Sequence, residues 1–288
     1  MSARSHAPEP VKHAVRRVYA HVGEASVGLR LQPSFILVGA QRCGTTSLFR
    51  ALMAHPQVAR PAFHKGVNYF DVNYHRGPRW YLGHFPVASV ARHRAARYGE
   101  PAAFEASGYY LYHPLALERM TCDLPAAKLV AMLRDPVERA FSAYKHEHAR
   151  GFEQEGFEEA LGLEDERLAG EAERMRRDPR YQSFSYRHHS YRHRGHYADQ
   201  LERAFGLYPR SQVHIIDSEA YFEQPARVYR DLLTFLSLQP FEPASFGRHN
   251  ARPSPPMMPE TRRALKDYYA PHDERLTKLL GRPLRWTC

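Results

Sequence analysis

Apolar positions recur along this chain with two different periods. Phe35-Ile-Leu-Val38 is an unbroken apolar run of strand length closed by Gly39, Lys128–Leu133 is a second, and Gln212–Asp217 is a third. Ala103–Ala106 reads as a shorter strand. Continuous apolar runs bounded by turn residues fit strands buried on both faces. Elsewhere the spacing changes to three and four, which predicts helices over Thr45–Ala54, Pro136 to about His148, Tyr197–Leu207, Pro225–Leu236, Pro259–Tyr269 and Asp273–Leu280. Strands alternating with helices predict an α/β fold, a central parallel β-sheet flanked by helices in three layers.

Two segments depart from this pattern. Residues 1–31 carry Val11, Val15, Val18 and Val22 at helical spacing, with Lys12, Arg16 and Arg17 on other faces. They read as an N-terminal basic amphipathic extension ahead of a domain over 32–288. Peripheral membrane contact through residues 11–22 stays open, although the stripe is short and lacks large anchors, which favours docking on its own domain. Residues 151–180 are Glu-rich with helical spacing and read as a charged, solvated helical insertion. Residues 247–259 are a loop by composition.

Composition narrows the class. Of the 288 residues 43% are hydrophobic and 25% charged, a globular balance that excludes wholesale disorder. Three cysteines exclude a disulfide framework and a Cys-based zinc site. No apolar run approaches a membrane span and the first residues lack a secretory core, so a cytoplasmic protein is expected. The net charge of +10 points to anionic partners. Only six of the 41 basic residues are Lys, however, and arginine-rich coding alone produces such a bias. With no helix-turn-helix, zinc-finger or RNP signature, nucleic acid is not the expected partner.

The chemistry sits after two of the strands. In Phe35-Ile-Leu-Val-Gly-Ala-Gln-Arg-Cys-Gly-Thr-Thr-Ser47 a strand runs through a short loop into a helix. Gly44 lets the backbone approach an anion, helix-start N–H groups point at it, and Thr45, Thr46 and Ser47 add hydroxyls. The spacing is P-loop-like, but the lysine position of an NTPase is Thr45 and the loop's cation is Arg42. A nucleotide kinase or NTPase is the enzymatic alternative, and a basic nucleic-acid-binding protein the non-enzymatic one. Cys43 is either a thiol activated by the helix start or a small buried filler. The second motif, Arg134-Asp-Pro-Val-Glu-Arg-Ala-Phe-Ser142, places Arg134 at a strand tip and Ser142 two turns into the next helix.

Arg42-Cys43-Gly44-Thr45-Thr46-Ser47 resembles the 5′-phosphosulfate loop of sulfotransferases that use 3′-phosphoadenosine 5′-phosphosulfate (PAPS), and Arg134…Ser142 resembles their 3′-phosphate motif. Gly195-His-Tyr197 is similar to a later segment, and the chain from Thr261 to Trp286 to the C-terminal helices of heparan-sulfate-type members. The resemblance implies a P-loop-like fold and sulfuryl transfer from PAPS, leaving 3′,5′-ADP, to a hydroxyl or amine of a glycan, lipid or small molecule, with no metal. It implies that Arg42, Cys43, Gly44, Thr45, Thr46, Ser47, Arg134, Ser142 and Tyr197 bind the donor.

Phe63-His-Lys-Gly-Val-Asn-Tyr-Phe-Asp71 resembles the heparan-type segment Lys-Glu-Val-His-Phe-Phe-Asp. The family's catalytic glutamate falls on Gly66 and its histidine on Asn68; in a later Glu-Lys-Thr/Ser stretch the lysine falls on Ala106. Lys65 and Arg42 are therefore the candidates for handling the transferring group, and Glu105, Asp71 and His64, in that order, for the base. His189 and His193 stand four apart, the spacing of a metal pair, but no third ligand is evident; the Arg187–His196 run reads instead as a basic cleft wall. Tyr69, Phe70, Tyr74, Trp80 and Tyr81 fit a sugar-stacking wall or core packing equally well. Acceptor loops are expected at 63–100, 150–195 and 245–258.

Overall fold

The computed structural model describes residues 21–62, 65–247 and 256–287. Its sheet has five strands, β1 (Pro33–Gly39), β2 (Val58–Ala59), β3 (Ala102–Ala106), β4 (Lys128–Leu133) and β5 (Val213–Asp217), in the order β2-β3-β1-β4-β5. All four pairings are parallel. β1 lies in the middle and buries every residue except Ser34. A central strand covered on both faces has no polar side to show, which is why its sequence is continuously apolar. From β1 the chain moves to β2 and β3 on one side, then crosses to β4 and β5 on the other. The crevice at the carboxyl ends of β1 and β4 is thus the switch point of the sheet, where open α/β folds bind ligands.

Six helices matter for the site: α1 (Thr45–Ala54), α2 (Ala116–Asp123), α3 (Pro136–His148), α4 (Tyr197–Leu207), α5 (Pro225–Leu236) and α6 (Pro259–Leu280). α3 starts where Asp135 accepts the Val137 N–H at 2.8 Å and Pro136 supplies a preset φ. The expected break between Pro259–Tyr269 and Asp273–Leu280 does not occur: α6 is continuous through Pro271. Its buried stripe Thr261, Leu265, Tyr269, Asp273 and Leu276 runs across the proline, and packing on both sides outweighs a loss of about 3 kcal/mol.

Residues 151–180 form three short, mostly exposed helices, Phe157–Gly162, Glu164–Leu168 and Glu171–Arg177, but two carboxylates of the segment, Glu153 and Glu164, are buried. Glu164 accepts the N–H groups of Arg192 and His193 at 2.7 and 2.9 Å. Glu153 accepts from Arg167 at 2.8 Å and from the Tyr191 hydroxyl at 2.9 Å. The insertion therefore anchors the basic 187–196 segment over the carboxyl end of the sheet. Of the amphipathic extension, residues 1–20 lie outside the described residues; its described end packs Gly23 against Gly83, where a Cβ would stand 2.3 Å from the Gly83 carbonyl oxygen.

Candidate active site

The two anion motifs meet at the switch point. After β1 the backbone passes through left-handed conformations at Arg42 (φ 70°) and Gly44 (φ 89°) and enters α1 at Thr45. The first N–H groups of a helix have no partner within it and attract an anion. The Arg42 Nε donates to Ser142 Oγ at 3.0 Å, so the loop after β1 and the helix after β4 touch through the two residues expected to bind opposite ends of one nucleotide. Arg134, at the carboxyl end of β4, lies 3.7 Å from Glu138 and 3.8 Å from Glu219 and remains partly exposed.

Lys65 completes this groove from a distant segment. Its Nζ donates to Thr45 Oγ1 at 3.2 Å and Thr46 Oγ1 at 3.3 Å. The place of the P-loop lysine is thus taken by a hydroxyl, and an ammonium is delivered beside it from the 65–71 segment. Burial pushes the Lys65 ammonium down to about 8.

Tyr197 and Cys43 lie beneath the loops after β1 and β4 and do not line the groove. The Tyr197 hydroxyl donates to the Arg134 carbonyl at 2.9 Å and lies 3.6 Å from Cys43 Sγ. Both side chains are buried, so they tie the two loops together from beneath. Burial pushes the Cys43 thiol up to about 11, which makes it a filler and not a reactive thiolate.

Beside the groove lies a cavity of about 350 Å³, lined among others by Gln41, Lys65, Asp71, Glu147, Arg187 and Arg194. Here the order of the candidate bases changes. Glu105 is fully buried, its oxygens taken by the Val67 N–H at 2.5 Å and the Tyr110 hydroxyl at 3.0 Å. Burial raises it to about 7, but its work is to clamp the 65–69 segment onto β3. Gly66 sits directly above: a Cβ there would stand 2.4 Å from the Ala106 carbonyl oxygen. Asp71 does line the cavity; it accepts from Val72 N–H at 2.6 Å and Ser107 Oγ at 3.4 Å, and burial raises it to about 6. His64 lies outside the described residues.

Tyr69, Phe70, Trp80 and Tyr81 are buried, with Tyr69 stacked on Tyr81 at 4.6 Å, so core packing accounts for them. His189 bonds the Phe152 carbonyl and His193 bonds Asp165, so the two rings serve different partners. Arg187, His188 and Arg194 do form a basic wall. Sequence reasoning missed Gln41 and Glu147, each one polar residue among many, and did not single out His188 within its run. The Glu147 carboxylate accepts from His188 Nδ1 at 2.9 Å and Gln41 Nε2 at 3.3 Å, while Arg194 donates to Gln41 Oε1.

The sulfotransferase domain family matches residues 32–246. A crystal structure of a sulfotransferase from Alicyclobacillus acidocaldarius is 32% identical, covers 88% of this chain and 98% of its own, and superposes with a TM-score of 0.65. A bifunctional heparan sulfate N-deacetylase/N-sulfotransferase of Drosophila melanogaster is 29% identical over 86% of this chain, which spans only 26% of that protein. The membrane-associated sulfotransferase kil1 of Dictyostelium discoideum is 27% identical over 88% of this chain and 66% of its own.

Proposed function

We propose, from the premise that the chain belongs to the sulfotransferase family, that it moves a sulfuryl group from PAPS to a hydroxyl or amine. The observation that carries this reading is the Arg42–Ser142 hydrogen bond, which joins the loop after β1 to the helix after β4. A nucleotide bearing phosphates at both its 3′ and 5′ positions would span that junction. Arg42, Gly44, Thr45, Thr46 and Ser47 would hold the 5′-phosphosulfate, Arg134 and Ser142 the 3′-phosphate. Lys65 would neutralise charge on the departing 5′-phosphate, the electrostatic part of the reaction. The relatives named for heparan sulfate make a glycan amine or hydroxyl the first acceptor class to examine.

The test is transfer of labelled sulfate from PAPS to amino sugars, glycans and phenols, with ATP as the control donor. Arg134→Ala removes a charge-assisted hydrogen-bond donor and should raise the KM for PAPS by roughly 100-fold. Phosphoryl transfer from ATP with Mg²⁺, with none from PAPS, would instead establish the kinase reading.

A further inference from the structure

The structure leaves a gap in its own chemistry: the position where the resemblance places a glutamate base is Gly66, and the nearest carboxylate, Glu105, is sealed beneath it. Across the cavity stands a pair that nothing in the sequence motifs assigns. Glu147 lies on α3 five residues after Ser142, so one helix borders both the donor groove and the cavity. Its carboxylate is buried and faces His188, whose ring packs on Phe152 and Phe184 at centroid distances of 4.3 and 4.8 Å.

Hydrogen-bond logic fixes the orientation of this network. Arginine only donates, so Arg194 selects the oxygen of the Gln41 amide and turns its NH₂ toward Glu147. Burial disfavours the Glu147 carboxylate, but the hydrogen bond from His188 and nearby cations, Arg194 among them, hold it below the usual range. An ionised carboxylate only accepts, so Nδ1 of His188 carries the proton of this bond, and the tautomer it selects has its lone pair on Nε2. Among the described residues none bonds Nε2. Gln41 is the neighbour of Arg42 in the 5′ loop, so two hydrogen bonds connect that loop to His188.

We propose that His188 is the general base of the reaction, with Glu147 as its positioning residue. This rests on the sulfuryl-transfer reading above. The acceptor's O–H or N–H proton passes to His188 Nε2 as its heteroatom bonds sulfur. The sulfur–oxygen bond to the 5′-phosphate breaks, and that electron pair leaves on 3′,5′-ADP. Glu147 stabilises the imidazolium, the carboxylate–histidine division of labour. Asp71 is the rival, and its two oxygens are turned to Val72 and Ser107.

The experiment measures 3′,5′-ADP release from PAPS by the full chain, with glucosamine as acceptor and with water alone, from pH 5 to 9. Around His188 stand Glu147 and His146 of α3, Arg150 in the turn after it, Arg187 and Arg194, and Lys65 and Asp71 across the cavity. His188→Gln should lower kcat about 100-fold or more with 3′,5′-ADP affinity unchanged, and added imidazole should restore part of the rate. Glu147→Gln should lower kcat less and leave the KM for PAPS unchanged, because the imidazolium loses its counter-charge. A His188→Gln protein that keeps wild-type kcat overturns the proposal, as does a loss of kcat that imidazole does not restore. Wild-type protein that neither binds nor releases 3′,5′-ADP overturns the underlying reading instead.

Discussion

The groove between β1 and β4 and the cavity beside it meet at Lys65, yet they are built in opposite ways. The groove comes from two contiguous motifs, each a strand, a short loop and a helix start, at the switch point between β1 and β4. Its candidate anion-binding groups are largely backbone N–H and first-turn hydroxyls, whose direction follows from the helix itself. The cavity draws on five separate stretches, around Gln41, 65–71, 106–109, 147–150 and 187–194. Its shape depends on side-chain contacts among them and on the Glu153 and Glu164 anchors of the insertion. The groove is thus specified locally, while the cavity can vary with each distant segment.

Lys65 is where the two regions join, so breaking it gives the largest effect. Lys65→Met should reduce kcat by roughly 10² to 10³, the cost of removing one preorganised charge-stabilising donor. Wild-type activity should also decline on the alkaline side, because the ammonium is needed charged and burial brings its deprotonation down to about 8. A bound anionic donor will move that limb upward, and the limb should be absent in Lys65→Met. A pH–rate profile of both proteins checks this.

Gly66→Glu sharpens the contrast from the cavity side. Supplying the glutamate of the heparan-type segment should not create a better enzyme, because the Cβ would press on the Ala106 carbonyl at 2.4 Å. Overpacking of this kind costs about 1–3 kcal/mol, so a lowered Tm with no gain in kcat is expected. The smallest effect belongs to the groove. Ser142→Ala removes one neutral hydroxyl and its bond to Arg42, and should weaken 3′,5′-ADP binding by roughly 3- to 10-fold in calorimetry.

The same contrast explains what was legible in the sequence. β1, β4, α1 and α4 were readable because continuous apolar runs and helical spacing are local signals, and the positions of Arg42, Arg134 and Ser142 at the sheet's switch point were readable because they stand at fixed offsets from strand ends. The two-residue β2 carries too little pattern to detect. Pro271 misled because helix propensity is local and the packing that overrides it is not. Glu105 ranked first as base because its neighbourhood resembled a family segment; only the burial shows that it clamps Val67 and Tyr110. Glu147 and His188 are 41 residues apart in sequence, and no spacing rule announces that they meet.

The account stands or falls on whether the crevice between β1 and β4 takes a nucleotide phosphorylated at both 3′ and 5′ positions. The direct measurement is thermal unfolding with 3′,5′-ADP, ADP and ATP, each with Mg²⁺ and with EDTA, on wild-type protein and Arg134→Ala. A ligand at a hundred times its Kd adds about 2.7 kcal/mol of apparent stability, a clear rise in Tm. The account predicts a rise with 3′,5′-ADP that EDTA does not alter and that Arg134→Ala loses. A rise confined to ATP with Mg²⁺, or a 3′,5′-ADP response that Arg134→Ala leaves intact, would contradict it.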